Sequence, residues 1–292
     1  MPPVPLGRRL AARGLDGATA LAAPAAALSL ALFVYPFVDG LWLSFHPKTG
    51  GPLAAYAAFF SDPFQWRTLP TTLWIALPVT VFNLLVAVPV SLRVRHMANP
   101  RLFTTVLVVP ITLGTVLVAE GMLNYFGPQG WFNRTLMALH LVSSPVRLVQ
   151  NYWGVVLSLV VTGFPFTFLL TLAQATGIDP ALERAAATLG ADARARFRAV
   201  LLPLMAPGLA INFCLSFVQA FSVFPTAVLL GAPAGATRVI SIAAYQAAYE
   251  RYDYPLASAI AVVMAGAQLL VVAIMLALRG FAYRGPTGGG KG

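Results

Sequence analysis

Nine acidic residues, three histidines and a single cysteine in 292 positions leave little material for catalysis or metal binding. With Cys214 alone, neither an internal disulfide nor a cysteine-based metal site can form. His46, His96 and His140 are scattered, which is poor spacing for a metal cluster or a catalytic triad. Charge is scarce overall, at 10% of residues against a globular average of about a quarter, whereas 59% are hydrophobic. Such a chain cannot clothe itself for water, and most of its surface must face lipid. The net charge of +10 would suggest nucleic acid in a polar protein. Here the basic residues sit in short clusters between apolar runs, a pattern of membrane topology that makes no call for a nucleic-acid partner.

What the chain has is long apolar runs. A bilayer core of about 30 Å needs about 20 apolar residues in a helix, because lipid offers no partner for a free backbone N–H or C=O. Six runs reach that length, at residues 18–45, 71–92, 102–126, 153–174, 205–230 and 255–278. The expected fold is therefore an all-α membrane protein of about six transmembrane helices. Segment 1–17 precedes the membrane domain of 18–279, and 280–292 forms a flexible tail. The first run is longer than the apolar stretch of a signal peptide and is read as a span. Prolines at Pro24, Pro36, Pro78, Pro89, Pro110, Pro165 and Pro225 predict kinked helices, which suit a gated path.

Orientation follows from lysine and arginine. With both termini in the cytoplasm, 13 of the 19 basic residues fall on that side and 6 on the other. Trp42, Trp66, Trp131 and Trp153 then lie near the outer interface, and residues 46–70 and 127–150 are expected to form small lids over the helix ends.

The stretch after Ile178 is the most informative. Asp179 can cap a helix with Pro180 in its first position and Glu183 in its first turn, and Ala185, Ala186 and Ala187 continue it. Gly190 fits a left-handed stop, and Asp192 can cap a second helix through Arg194, Phe197 and Leu201. This helix, glycine break and second helix resemble the "EAA" loop of permease subunits from binding-protein-dependent ABC importers of the type I fold. Ala185, Ala186, Gly190, Leu202 and Pro203 stand where that family has Ala-Ala, glycine and Leu-Pro, and Phe197 matches a frequent aromatic. Arg184 occupies the place of the family glutamate, with Glu183 one residue earlier, and either one could take its role.

The resemblance implies a coupling loop at 178–204 that inserts into a groove on a dimer of separate ATP-binding subunits. Glu183, Arg184, Ala185, Ala186, Gly190, Phe197 and Pro203 would be its contact residues. It also implies a second permease subunit, identical or homologous, an extracytoplasmic solute-binding protein, and a place in the bacterial inner membrane. Other elements that take part are Asp62 with Pro63, Thr72 with Leu73, and a stretch from Gly231 through Thr237, Tyr245 and Tyr254 to Ala257. The Thr188–Leu189–Gly190–Ala191 version of the motif is more similar to polyamine, iron(III) and thiamine permeases than to sugar permeases. A polyamine or another small cation is the expected solute, with a sugar or an anion as the alternative.

The chain supplies no nucleotide site of its own. Gly285, Gly290 and Lys291 have the spacing of a phosphate-binding loop, but Gly292 replaces the Ser or Thr that would hold magnesium, and no helix follows. No cofactor is expected here, and ATP with Mg belongs to the partner subunit, so the chain itself is read as no enzyme.

Solute contacts are expected from polar groups inside the bundle. Asn212, Ser216 and Gln219 recur on one face of the fifth run, with Thr226 beyond them, and read either as a pathway lining or as helix-to-helix hydrogen bonding. Glu120 is the one carboxylate deep in a span, with Asp39 near the end of another, and either could attract a cation. An ion-coupled secondary transporter would instead show paired intramembrane charges and an internal repeat.

Overall fold

A computed structural model describes residues 17–282, and among these every regular element is a helix. Six helices are long and apolar enough to cross a membrane: Ala23–Ser44, Pro63–Val94, Pro100–Ala138, Tyr152–Thr176, Ala193–Phe221 and Tyr254–Gly280. Their burial divides them. In the second, fourth and fifth spans 39% of the most apolar window is buried, against 11% in the third and sixth and none in the first. The second, fourth and fifth pack on one another as an inner triad, the third lies on the fourth, and the first lies on the sixth.

Large side chains pack the triad together and tie it to the sixth span and the short helices. Phe59, Phe217, Phe221, Ile240 and Ile260 form one buried cluster, and Ile75, Val79, Val155, Leu159 and Val239 form another beside it. The outer spans instead point Leu32, Phe33, Phe37, Leu102, Val106 and Leu269 outward, as a lipid-facing surface requires. Hydroxyls within the spans return their protons to the preceding turn, as Thr72 does to the Thr68 carbonyl at 2.6 Å and Thr171 to the Thr167 carbonyl at 2.7 Å. A polar side chain satisfied within its own helix is tolerable in hydrocarbon.

Two spans depart from the expected runs. The third breaks at Gly114, whose φ of 73° and ψ of 164° lie in a region that essentially only glycine occupies. Its Cβ position is open, so the backbone and not crowding demands glycine there. The fifth helix ends at Phe221, short of Leu230, because the chain leaves helical geometry around Phe224 before Pro225 opens a short helix, Pro225–Leu229.

The linkers carry structure of their own. Short helix Ala54–Ser61 packs on the sixth span, and the long helix of the third span itself ends at Phe126, leaving Trp131–Ala138 as a second short helix beyond it. Asn133 holds the second of these, donating to the carbonyls of Gly127 at 2.9 Å and Val146 at 3.1 Å while accepting from the Val146 N–H at 2.8 Å. The sixth helix continues to Ala282, which takes in the first residues of the expected tail. The remaining tail, with Gly285, Gly290 and Lys291, and the basic segment before residue 17 lie outside the described residues.

Candidate functional site

At the end of the bundle that carries residues 178–204, local chemistry builds a two-helix elbow. The Asp179 carboxylate accepts from the Ala181 N–H at 2.8 Å and caps helix Pro180–Thr188. Gly190 turns the chain with φ 83°, and the Asp192 carboxylate accepts from the Ala195 N–H at 2.7 Å to start Ala193–Arg196. A π-turn at Phe197–Leu201 then leads into the long helix Leu202–Phe221 of the fifth span, with Pro203 in its first turn.

The two acidic and basic neighbours in this loop do different things. Glu183 turns inward, and its Oε1 pairs with Arg95 Nη2 at 2.6 Å, with side-chain exposures of 15% and 6%. Arg95 Nη2 also reaches the Ile178 carbonyl at 3.4 Å, so the end of the second span grips both ends of the loop's first turn. Arg184, Ala185 and Pro203 are exposed, Ala186 and Phe197 are half-buried, and Leu182 and Leu189 stand 47% and 88% exposed. Leu182, Ala185 and Leu189 recur at a helical spacing, giving the elbow a small, apolar and uncovered face.

Midway along the bundle a cavity of about 200 Å³ lies between the second, fourth and fifth spans. Among its lining residues are Thr80, Asn83, Thr115, Thr162, Thr167, Ser216, Gln219 and Thr226. The residues expected to form one polar stripe take separate places. Asn212 is fully buried behind the wall, its amide donating to the Thr167 carbonyl at 2.9 Å and to Thr171 Oγ1 at 2.8 Å. Ser216 lines the cavity, donating to Asn212 Oδ1 at 3.1 Å and lying 2.8 Å from Thr167 Oγ1. Gln219 is exposed and lines the cavity as well, and Thr226 joins it from the short helix beyond the fifth span.

The structure does not bring Glu120 to this cavity. It sits past the Gly114 break on an exposed face with Leu117, Gly121 and Asn124, and Asp39 is exposed on the first span. Among the described residues no group of three His, Cys, Asp or Glu side chains could hold a metal ion.

Arg238 went unnoticed in the sequence beyond its part in the charge count. It is 3% exposed, donates to the Phe64 carbonyl at 2.6 Å and to Gln246 Oε1 at 2.8 Å and 3.1 Å, and lies 4.0 Å above the Phe64 ring. Burial holds its guanidinium below the usual range, Arg251 pushes the same way, and Asp62 and Glu250 oppose both. The partners lie up to 174 positions away, so no local signal marks it.

Residues 50–284 match the family described as binding-protein-dependent transport system inner membrane component. The trehalose transport system permease protein SugA of Mycobacterium tuberculosis is 28% identical over 98% of this chain and 95% of its own length. The sulfate transport system permease protein CysT of Salmonella typhimurium is 26% identical over 75% of this chain and 78% of its own. The spermidine/putrescine permease protein PotB of Haemophilus influenzae is 29% identical over 52% and 54%. Among solved structures, a bacterial alginate ABC transporter in complex with an alginate pentasaccharide-bound periplasmic protein has a chain of the same fold. The TM-score is 0.78 at 21% identity, covering 92% of this chain and 95% of that one.

Proposed function

The chain belongs to the family of binding-protein-dependent transport system inner membrane components, permease subunits of ABC importers, and from that premise we propose how it takes up its energy and its solute. It forms half of a solute pathway in the bacterial inner membrane, and residues 178–204 are its coupling loop to a separate ATP-binding subunit on the cytoplasmic side. One observation carries this reading. The elbow is braced from within by the Arg95–Glu183 pair and offers outward a face of Leu182, Ala185 and Leu189 that nothing among the described residues covers. A rigid element with an uncovered apolar face fits a groove on a partner. Glu183 therefore works as the brace, and Arg184 stands beside the docking face.

A second permease subunit is favoured by the third span. Its exposed face carries Glu120, Gly121 and Asn124, and a carboxylate pointing into hydrocarbon costs about 2.5 kcal/mol or more. Cover by another subunit removes that cost. An extracytoplasmic binding protein would dock over the opposite end, where the short helices lie.

The loop motif alone points to a polyamine or another small cation as solute, but trehalose, sulfate and polyamine permeases are all among the relatives, so the motif does not fix the solute class. The geometry gives that expectation no further support, since Glu120 stands away from the central cavity. For an ion-coupled transporter, paired charges inside the spans would be needed. Among the described residues the one ion pair is Arg95–Glu183, at the loop.

The test is enzymatic. The purified chain should hydrolyse no ATP, whereas the complex with its ATP-binding subunit and binding protein should show solute-stimulated hydrolysis. Gly190→Pro should abolish that stimulation without preventing membrane insertion, because proline cannot adopt a φ of 83°. Full stimulation in Gly190→Pro would refute the assigned role of the loop.

A further inference from the structure

The central cavity, at about 200 Å³, has the room of about six or seven liquid waters, or of one sugar ring. Its lining contains no Asp, Glu, Lys, Arg or His. It is nonetheless polar, and several of its hydroxyls have already committed their protons to the protein. Thr80 donates its hydroxyl proton to the Ala76 carbonyl at 2.7 Å, Thr162 to the Ser158 carbonyl at 2.8 Å, and Ser216 to Asn212 Oδ1 at 3.1 Å. With those protons committed, each hydroxyl keeps lone pairs to offer a ligand.

Two further oxygens have no partner at all. Asn83 Oδ1 and Thr226 Oγ1 are buried without a hydrogen bond, on residues each 2% exposed that line this cavity. Gly163 makes room for the asparagine, since a Cβ there would stand 3.0 Å from Asn83 Nδ2. Buried polar atoms are seldom left unpaired, because desolvating one without a partner is unfavourable. Two of them at one cavity mark a place shaped for a ligand, and because the Asn83 amide and the Thr226 hydroxyl also carry protons, it suits one that both donates and accepts hydrogen bonds.

Charge decides which ligand. A polyamine would carry several ammonium groups into a site with no carboxylate, and neutral oxygens do not offset the desolvation of unpaired charges. A sulfate would meet no cation to offset the desolvation of its charge. A neutral polyol brings O–H donors and no charge to desolvate. We propose that this cavity binds a neutral, hydroxyl-rich solute of about one sugar ring, with Asn83 and Thr226 as acceptors and the exposed Gln219 amide beside them. The inference rests on the permease reading and names the solute class for it.

The experiment is equilibrium binding of radiolabelled glucose, sorbitol, spermidine and sulfate to the full chain in lipid nanodiscs. Glucose or sorbitol should bind saturably. Thr226→Val removes an unpartnered hydroxyl at nearly constant volume, so its melting temperature should stay level or rise. Its half-saturating polyol concentration should rise about five-fold, as expected for one neutral hydrogen bond. Asn83→Leu should act in the same direction, and the double variant should lose at least about ten-fold. The proposal is overturned if the variants leave polyol binding unchanged. It is equally overturned if spermidine or sulfate binds saturably and is weakened by them, or if no probe binds and the cavity holds water alone. Solute-stimulated ATP hydrolysis in the assembled complex is read separately. A chain that couples to the ATPase but binds sulfate loses only this inference, whereas one that never couples loses the permease reading whatever it binds.

Discussion

Removing either member of the Arg95–Glu183 pair should damage the protein more than removing both. The pair is short, at 2.6 Å, and nearly closed off from solvent, with side-chain exposures of 6% and 15%. Arg95 Nη1 has no hydrogen-bond partner, and among the described residues Glu183 is the one acid paired with this guanidinium. Glu183→Leu strands a buried cation and Arg95→Met strands a carboxylate, and breaking a buried pair in this way costs about 3 kcal/mol. For a chain of this size that is a fall of roughly 6–12 °C in melting temperature. The double variant Arg95→Met with Glu183→Leu leaves two apolar side chains in contact, and its stability should lie above that of either single variant. Coupling should not recover with it. The loop would then be held by packing alone, without a directed bond from the second span to its first turn, and solute-stimulated ATP hydrolysis in the complex should stay below wild type. Thermal unfolding of all four proteins, followed by tryptophan fluorescence in detergent, completes the cycle. Strictly additive losses, or single variants within about 0.5 kcal/mol of wild type, would refute the buried-pair argument.

Two further expectations come from the backbone and from topology. Gly114→Ala meets no steric obstacle but forces alanine into a glycine-only conformation, so stability should fall by about 1–3 kcal/mol. Because Thr115 lines the cavity, solute uptake should fall as well, and an unchanged melting temperature would show that the third span does not need its break. Cysteines placed at the exposed Ala195 and Ala236 should react with an impermeant reagent from opposite sides of the membrane, with Cys214 silent because it is buried. Reaction of both from one side would sink the proposed orientation.

The sequence makes the spans legible because crossing a bilayer is a bulk demand: about 20 apolar residues leave a mark that no tertiary contact is needed to read. The elbow is legible for a different reason. Asp179, Pro180, Gly190 and Asp192 act on their own backbone within a few positions, and the structure places each cap and the left-handed turn where local chemistry puts them. The end of the fifth helix is hidden, because hydropathy runs on through Val223 and Phe224 after the helix has stopped at Phe221. Pro225 was the available sign. The division of Asn212 from Gln219 is likewise invisible in a periodic pattern. One residue faces the fourth span and the other the cavity, and only packing tells them apart. Arg95 with Glu183, 88 positions apart, and Arg238 with the Phe64 carbonyl, 174 apart, are products of tertiary structure. A count of charges registers them as loop residues.

The coupling claim is tested most directly by site-specific crosslinking in cells. A photoreactive residue in place of the exposed Ala185 should capture the ATP-binding subunit, and one in place of the lipid-facing Phe33 should not. Capture from Ala185 that changes in yield when ATP is depleted is the result expected of a loop that moves with the ATPase. Capture of the ATP-binding subunit from Phe33 but never from Ala185 would contradict the account.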